Sequence, residues 1–355
     1  MRVSRRRMVL GITTVALLIA ALPAIWLGSK WNRALSNVDK MIVPTVTLPT
    51  ATPGAQAAGA SSPAGAAPTA EPMPTAIPEP EGVSNILLVG TDARPGENVS
   101  RTDTLVLVHL DSHSNRVGML SFPRDLWVNI PGFAQNRINT AYLLGETKLG
   151  KGYGPALLKQ TVGDLTGLRI DRFMLINFEG FRAVIDKLGG IYVDVPKTID
   201  DPAYPTDDYR TIKIHFDPGR QLMDGDRALI YARTRHADSD FGRNQRQQQV
   251  LMAIFDRVRE QGLLSQLTSL DDYTDVLSNY IRTDISRGEM LGLASVGTRL
   301  HPEDIQRFAI DAKMVTPRTQ PAYVLLLKDQ KALRRLVSQM IDPSVASAGG
   351  EEPAR

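Results

Sequence analysis

From Met8 to Leu27 the chain runs about 20 residues without a charged side chain, directly behind Arg2, Arg5, Arg6 and Arg7. An apolar helix of that length crosses a hydrocarbon core, and basic residues ahead of it hold that end in the cytoplasm. The segment therefore reads as one N-terminal transmembrane helix in a plasma membrane, with residues 1–7 as a cytoplasmic tail. Trp26, Lys30 and Trp31 suit the outer interface. Everything after it is expected outside the cytoplasm. A cleaved signal peptide is the alternative, but no A-x-A site follows the apolar run; Ser4-Arg5-Arg6 also looks like a twin-arginine start, with an apolar run long for that route.

The span limits what remains to fold. Residues 28–42 suit a short juxtamembrane helix. Val43 to Gly82 collapses to Pro, Ala, Thr, Gly and Ser and holds nine of the chain's 23 prolines. Such a stretch buries too little apolar surface to offset its ordering entropy, so 43–82 reads as a disordered, extended stalk. At roughly 3 Å per residue it reaches on the order of 100 Å. The folded part is left to Val83–Pro343, with a frayed tail over 344–355. A net charge of +3 makes any basic site local rather than general, against a nucleic-acid partner. With no cysteine there is no disulfide, thiolate ligand or thiol nucleophile.

Within the folded part, Asn85–Gly90, Thr104–His109, Val117–Phe122, Phe173–Phe178 and Ile191–Val195 are short apolar runs suited to strands. Pro155–Leu165, Glu179–Leu188, Asn244–Glu260, Arg287–Leu293 and Asp329–Met340 have helical spacing. The alternation predicts an α/β domain. Leu263–Ile341 reads as a more helical part packed on the same core.

Four segments carry possible chemistry. Asp92 follows one expected strand and Asp103 precedes the next, so the two carboxylates meet at one sheet end if those strands are neighbours. Hard cations such as Mg2+ take one or two carboxylates plus phosphate oxygens and water; turn or cap roles at strand ends are the other reading. Pro123 forces an exit from the third strand that places Arg124 at the sheet edge, with a plain Arg124–Asp125 ion pair as the alternative. Asn136–Tyr142 adds Arg137. The densest signal is Arg220–Gln249, with six arginines: Arg220, Arg227, Arg233, Arg235, Arg243 and Arg246. Arg233 and Arg235 share a face if extended, and Arg243 and Gln247 share one on a helix. The rigid guanidinium fork matches phosphate oxygens in pairs, so the segment fits a pyrophosphate, with a solvated basic face as the alternative. There is no HExxH, GxxxxGK[ST] or GxSxG.

The ordered set NILLVGTDAR, RTDTLVLVHLD, SFPRDLWVNIPG, NRINTAY, FEGFRAVIDKLGGIYVDV and LMDGDRALIYARTRHADSDFGRNQRQQQV resembles the LytR-CpsA-Psr family of wall-polymer ligases, over roughly Val83–Arg259. The resemblance implies an α/β/α sandwich around a central mixed β-sheet, with a catalytic domain over 83–262 and a C-terminal part over 263–343. It implies transfer of a phosphoglycan from a polyprenyl-pyrophosphate carrier to a peptidoglycan hydroxyl outside the membrane. Asp92 and Asp103 would bind Mg2+ or Mn2+. Arg101, Arg124, Arg137, Arg233, Arg235 and Arg243 would hold the phosphates, with Gln247 a polar partner. Arg101, Arg124 and Asp240 would serve the chemistry, Asp240 by orienting an arginine or taking the acceptor proton. At Arg137 relatives often carry lysine. The alternatives are a polyprenyl-pyrophosphate phosphatase and a non-catalytic lipid-carrier, glycan-binding or regulatory protein.

Overall fold

The computed structural model describes residues 32–48, 82–92, 100–206, 210–235, 239–262, 274–275 and 277–344. Its first element is helix α1 (residues 32–41). This helix lies against the domain, burying Ala34, Asn37 and Met41 at helical spacing. Asp39 pairs with Arg287, and the Val43 amide donates to the Thr283 carbonyl at 2.8 Å. A helix is expected over 28–42, and the described part of that range is helical over 32–41, with 28–31 outside the described residues. Residues 43–48, expected in the stalk, instead run along the domain, where Val43 and Leu48 pack against the main core. The remaining expected stalk (49–81), the apolar run at 8–27 and the tail at 345–355 lie outside the described residues. No helix among the described residues is long and apolar enough to cross a membrane.

Strands β1 (Val83–Thr91), β2 (Thr102–Asp111) and β3 (Arg116–Ser121) form an antiparallel meander. The short strands β4 (Trp127–Val128) and β5 (Asn136–Arg137) pair with each other. Helices α2 (Ala141–Leu144) and α3 (Tyr153–Thr166) lead back to β6 (Arg172–Asn177), which lies parallel to β1. Asn177 then caps α4 (Phe178–Lys187), accepting from the Gly180 amide at 2.9 Å. Gly189 and Gly190, at φ of 68° and 88°, end α4 in a left-handed turn that a side chain would strain. Next come β7 (Ile191–Val195), the hairpin of β8 (Ile199–Pro205) and β9 (Thr211–Phe216), and β10 (Gly219–Met223), which pairs with β7. Helices α5 (Gly225–Arg233) and α6 (Asp240–Glu260) follow. The chain closes with β11 (Ile281–Thr283), α7 (Arg287–Arg299), β12 (Ile305–Ala309), β13 (Val315–Arg318), β14 (Val324–Leu327) and α8 (Gln330–Ile341).

The main sheet has six strands in the order β11-β6-β1-β2-β3-β12 and is mixed, as expected. Its two edge strands, β11 and β12, come from beyond residue 262. The boundary expected there does not divide the fold, because the C-terminal part completes the sheet at both ends. Strand register puts Leu87, Val89, Leu105, Leu107, Leu120, Phe173 and Leu175 on one face, where they join side chains of α3 and α8 in the largest core. Val106, Leu110, Val117 and Met119 on the other face meet Leu251 and Phe255 of α6 and Val296 of α7. Helices therefore cover both faces. A second core joins α4, α5 and part of α6 to β7–β10 around Phe216 and Tyr231, whose rings meet edge to face at 5.2 Å.

Candidate functional site

Strand direction gathers the C-terminal ends of β1, β3 and β6 and the N-terminal end of β2 at one edge of the sheet. In open α/β sheets, ligands bind beyond the carboxyl ends of strands. Asp92 follows β1 at this edge, Asp103 begins β2, Arg124 and Asp125 follow β3, and Phe178 follows β6. Burial, and then the Asp103 carboxylate, push the Asp92 carboxyl above the usual range, while Ser100 and Arg233 pull it back. The two aspartates are therefore close enough to repel. Arg124 Nη1 donates to Asp103 Oδ1 at 2.8 Å, with the expected local contact to Asp125 longer at 3.6 Å.

Helices α5 and α6 bring the remaining cations. A Cβ on Gly225 would stand 2.6 Å from the Arg182 carbonyl oxygen, so the bare glycine lets α5 start hard against α4. Arg233, the last residue of α5, lies over the Phe178 ring at 4.3 Å and donates to the Tyr204 hydroxyl at 3.1 Å. Arg235 follows Thr234 and lines a cavity of about 490 Å3 with Arg124, Asp125, Arg137, Asp240 and Tyr323. Arg243, in the first turn of α6, is 4% exposed and stands 3.0 Å from Asp240 Oδ1. Its Nε and Nη2 have no hydrogen-bond partner among the described residues. Burial lowers its pKa; Asp240 opposes that shift, Arg124 and Arg235 reinforce it and Asp103 opposes it. A buried cation with donors left unused among the described residues, beside two more cations, is arranged to accept a further anion.

Asp125 faces the same cavity. Its carboxyl is pushed up mainly by burial and also by the nearby Asp240 carboxylate, against the pull of Arg124 and Arg137. Arg137 Nε lies 3.4 Å from Asp125 Oδ1 and donates to the Tyr323 carbonyl at 3.0 Å.

The structure thus gathers Asp92, Asp103, Arg124, Arg137, Arg233, Arg235, Asp240 and Arg243. Gln247 is buried one helical turn past Arg243. Arg101 is exposed just before β2 and makes no side-chain contact with the cluster among the described residues. Arg233 and Arg235 do not share a face by strand alternation; a helix end carries one and the following loop the other. The other three arginines of that segment do structural work. Arg220 lies over Tyr192 at 4.4 Å, and Arg227 lies over Phe216 at 3.9 Å. Buried Arg246 donates Nε to the Tyr231 carbonyl at 3.0 Å and Nη2 to the Thr234 carbonyl, fastening α6 to the end of α5. Sequence reading missed Asp125 and Tyr323 as site residues. Asp125 was legible beside Arg124, whereas Tyr323 arrives from a distant segment without a motif.

Asp92 and Asp103 supply hard oxygen donors and a mutual repulsion that a divalent cation relieves, so they fit Mg2+ or Mn2+. Among the described residues no group of three or more His, Cys, Asp or Glu side chains could hold a metal, so a cation held by this pair would take phosphate or water oxygens to complete its shell. Beside Phe178 begins an incompletely covered apolar strip on the sheet face opposite the largest core. There Leu88, Val108, Met174 and Ile176 stay half-buried, while the residues facing the largest core are closed off.

The model of the LytR_cpsA_psr family matches residues 55–341. The polyisoprenyl-teichoic acid–peptidoglycan teichoic acid transferase TagU of Oceanobacillus iheyensis is 38% identical over 208 residues, covering 58% of this chain and 60% of that protein. The chain spans less than two thirds of this curated relative. The crystal structure of TagV from B. subtilis superposes with a TM-score of 0.59 at 28% identity, over 74% of this chain and 99% of that one. A structure of TagT bound to LI-WTA superposes with a TM-score of 0.56 at 26% identity, over 73% and 90%. These solved structures share the mixed α/β fold.

Proposed function

The chain belongs to the LytR-CpsA-Psr family, and from that footing we propose that it is a transferase moving a phosphoglycan from a polyprenyl-pyrophosphate carrier to a peptidoglycan hydroxyl. The observation that carries this reading is Arg243, buried with two unpartnered guanidinium nitrogens, beside Arg124 and Arg235 and opposite two repelling carboxylates. The names of the curated relatives support the substrate class. In this reading the apolar run at 8–27 anchors the protein in the plasma membrane with its domain outside the cytoplasm. The lipid tail lies along Leu88, Met174 and Ile176, and the pyrophosphate meets the arginines beside Phe178.

Displacement at phosphorus needs positioning and charge neutralisation more than covalent help. Arg233, Arg235 and Arg243 hold the pyrophosphate and offset the charge that spreads onto its oxygens. Arg124, fixed by Asp103, adds a donor from the sheet side. Asp92 and Asp103 would hold Mg2+ or Mn2+, which supplies further charge neutralisation. Phe178 and Tyr204 fix the Arg233 guanidinium so that it need not reorganise during transfer.

Purified full-length protein, a lipid-linked glycan donor, uncrosslinked glycan strands and Mg2+ test the reading. Covalently linked glycan is expected, falling at least 100-fold in Arg233→Ala or Arg235→Ala, as loss of charge-assisted contacts of about 1.5–3 kcal/mol each predicts. Release of free phosphoglycan without linkage would mean that water is the acceptor. No donor turnover would overturn the proposal.

A further inference from the structure

The cavity lined by Arg124, Asp125, Arg137, Arg235, Asp240 and Tyr323 joins two unlike halves. Arg124 and Arg235 belong to the arginine cluster that faces the donor phosphates. The other half presents two carboxylates, Asp125 and Asp240, and an aromatic ring. Asp240 lies in an ion pair with buried Arg243 at 3.0 Å, whereas the ion pairs of Asp125 are longer, at 3.4 Å to Arg137 and 3.6 Å to Arg124. The backbone carbonyl of Asp125 accepts the Leu325 amide at 2.9 Å, locking the loop after β3 to the segment bearing Tyr323. The Tyr323 ring is 44% exposed, unusual for a large side chain inside a site, and its carbonyl is held by Arg137 Nε at 3.0 Å. An exposed ring beside paired carboxylates is the combination that binds a sugar, which offers apolar C–H faces and hydroxyl donors at once.

We propose that this half of the cavity is the acceptor subsite, in which a saccharide ring stacks on Tyr323 and its hydroxyl donates to Asp125. Asp125 then acts as the general base, and Asp240 acts by orienting Arg243. In the step, the acceptor O–H bond breaks and its proton passes to the Asp125 carboxylate. The freed oxygen forms a bond to the sugar-linked phosphorus. The phosphoanhydride bond breaks, and its electron pair leaves on the polyprenyl phosphate. The groups facing Asp125 are Arg124 on its own loop, Arg137 from β5, Asp240 from α6, and Arg235 and Tyr323 across the cavity. Asp240 and burial favour protonation of Asp125, and Arg124 and Arg137 oppose it.

The proposal rests on the transferase reading and deepens it. Its test uses the full-length protein with a lipid-linked glycan donor and soluble uncrosslinked glycan strands as the acceptor probe. Tyr323→Ala is expected to raise the acceptor KM about tenfold, with Tyr323→Phe restoring it, while the donor Kd stays within about twofold. Asp125→Asn, which keeps the side chain's shape, is expected to lower kcat by about 10²–10⁴ and to abolish the acidic limb of the kcat–pH profile. Thermal melting of each variant reports folding, and the two substitutions at exposed Tyr323 still test the subsite even if Asp125→Asn melts early. An acceptor KM indifferent to Tyr323→Ala, or an acidic limb kept in folded Asp125→Asn, would overturn the subsite. Wild-type protein that transfers nothing would instead overturn the transferase reading itself.

Discussion

Replacing Arg243 by methionine separates a side chain kept for stability from one kept for an anion. The guanidinium is 4% exposed, and Nε and Nη2 lack hydrogen-bond partners among the described residues. Each unsatisfied buried group costs about 1–3 kcal/mol, so the two idle nitrogens cost about 2–6 kcal/mol together, whereas removing one partner of a buried ion pair costs about 3–5 kcal/mol. Loss of the 3.0 Å contact leaves Asp240 without its partner. That residue sits in the first turn of α6, where the helix dipole offsets about 0.3–1 kcal/mol of its charge. The opposing terms nearly cancel, so Arg243→Met is expected to lie within about 2 kcal/mol of wild type, a Tm change of no more than about 8 °C for a domain of this size. Donor binding changes more. Two charge-assisted hydrogen bonds worth about 1.5–3 kcal/mol each are lost, so the Kd for a polyprenyl pyrophosphate rises at least 100-fold. Differential scanning fluorimetry and a donor titration read both quantities. A variant that melts more than about 8 °C lower yet binds the donor normally would refute the reasoning.

Arg246→Met should instead destabilise, because it strips the donors from the buried Tyr231 and Thr234 carbonyls; a loss of about 2–6 kcal/mol is expected by denaturant titration, and a change under about 1 kcal/mol would contradict the fastening role. Asp92→Asn removes a repulsion, so without divalent ions its Tm should equal or exceed that of wild type. Wild type should gain about 2.7 kcal/mol at a Mg2+ concentration 100 times Kd, and an equal gain in the variant would exclude Asp92 as a ligand. The raised Asp125 carboxyl contributes stability that is full below about pH 4 and lost as pH climbs through its elevated native value. Asp125→Asn should flatten the fall of Tm above pH 4, and an unchanged Tm–pH curve would deny the shift.

Local sequence patterns carried much of the fold. The apolar runs became β1, β2, β3, β6 and β7, and the helix expected over Glu179–Leu188 became α4. Strand β11 has only three residues, and β12 (IQRFA) has neither an apolar run nor an alternating burial pattern; their pairing with β6 and β3 is set by tertiary contact. Residues 43–48 read as stalk from composition, yet backbone pairing to Thr283 and burial of Val43 and Leu48 fix them to the domain. In the site, Asp92, Asp103 and Arg124 were legible because strand ends place them whatever the details of packing. The arginine segment mixed two classes that spacing does not separate. Arg243 and Arg246 are three residues apart on one helix, but the first faces the cluster of Arg124, Arg235 and Asp240 and the second two backbone carbonyls. Tyr323 had no local signal, because its place depends on the loop after β3 being tied to β14.

The central claim is that the cations at this sheet edge hold a lipid-linked pyrophosphate. An experimental structure of the full-length protein with a polyprenyl pyrophosphate bound tests it most directly. Both phosphates are expected within hydrogen-bond distance of Arg233, Arg235 and Arg243, with the tail running over Leu88, Met174 and Ile176. Phosphates seated elsewhere, such as the groove between Tyr192, Arg220 and Arg307, with Arg243 still unpartnered, would contradict the account.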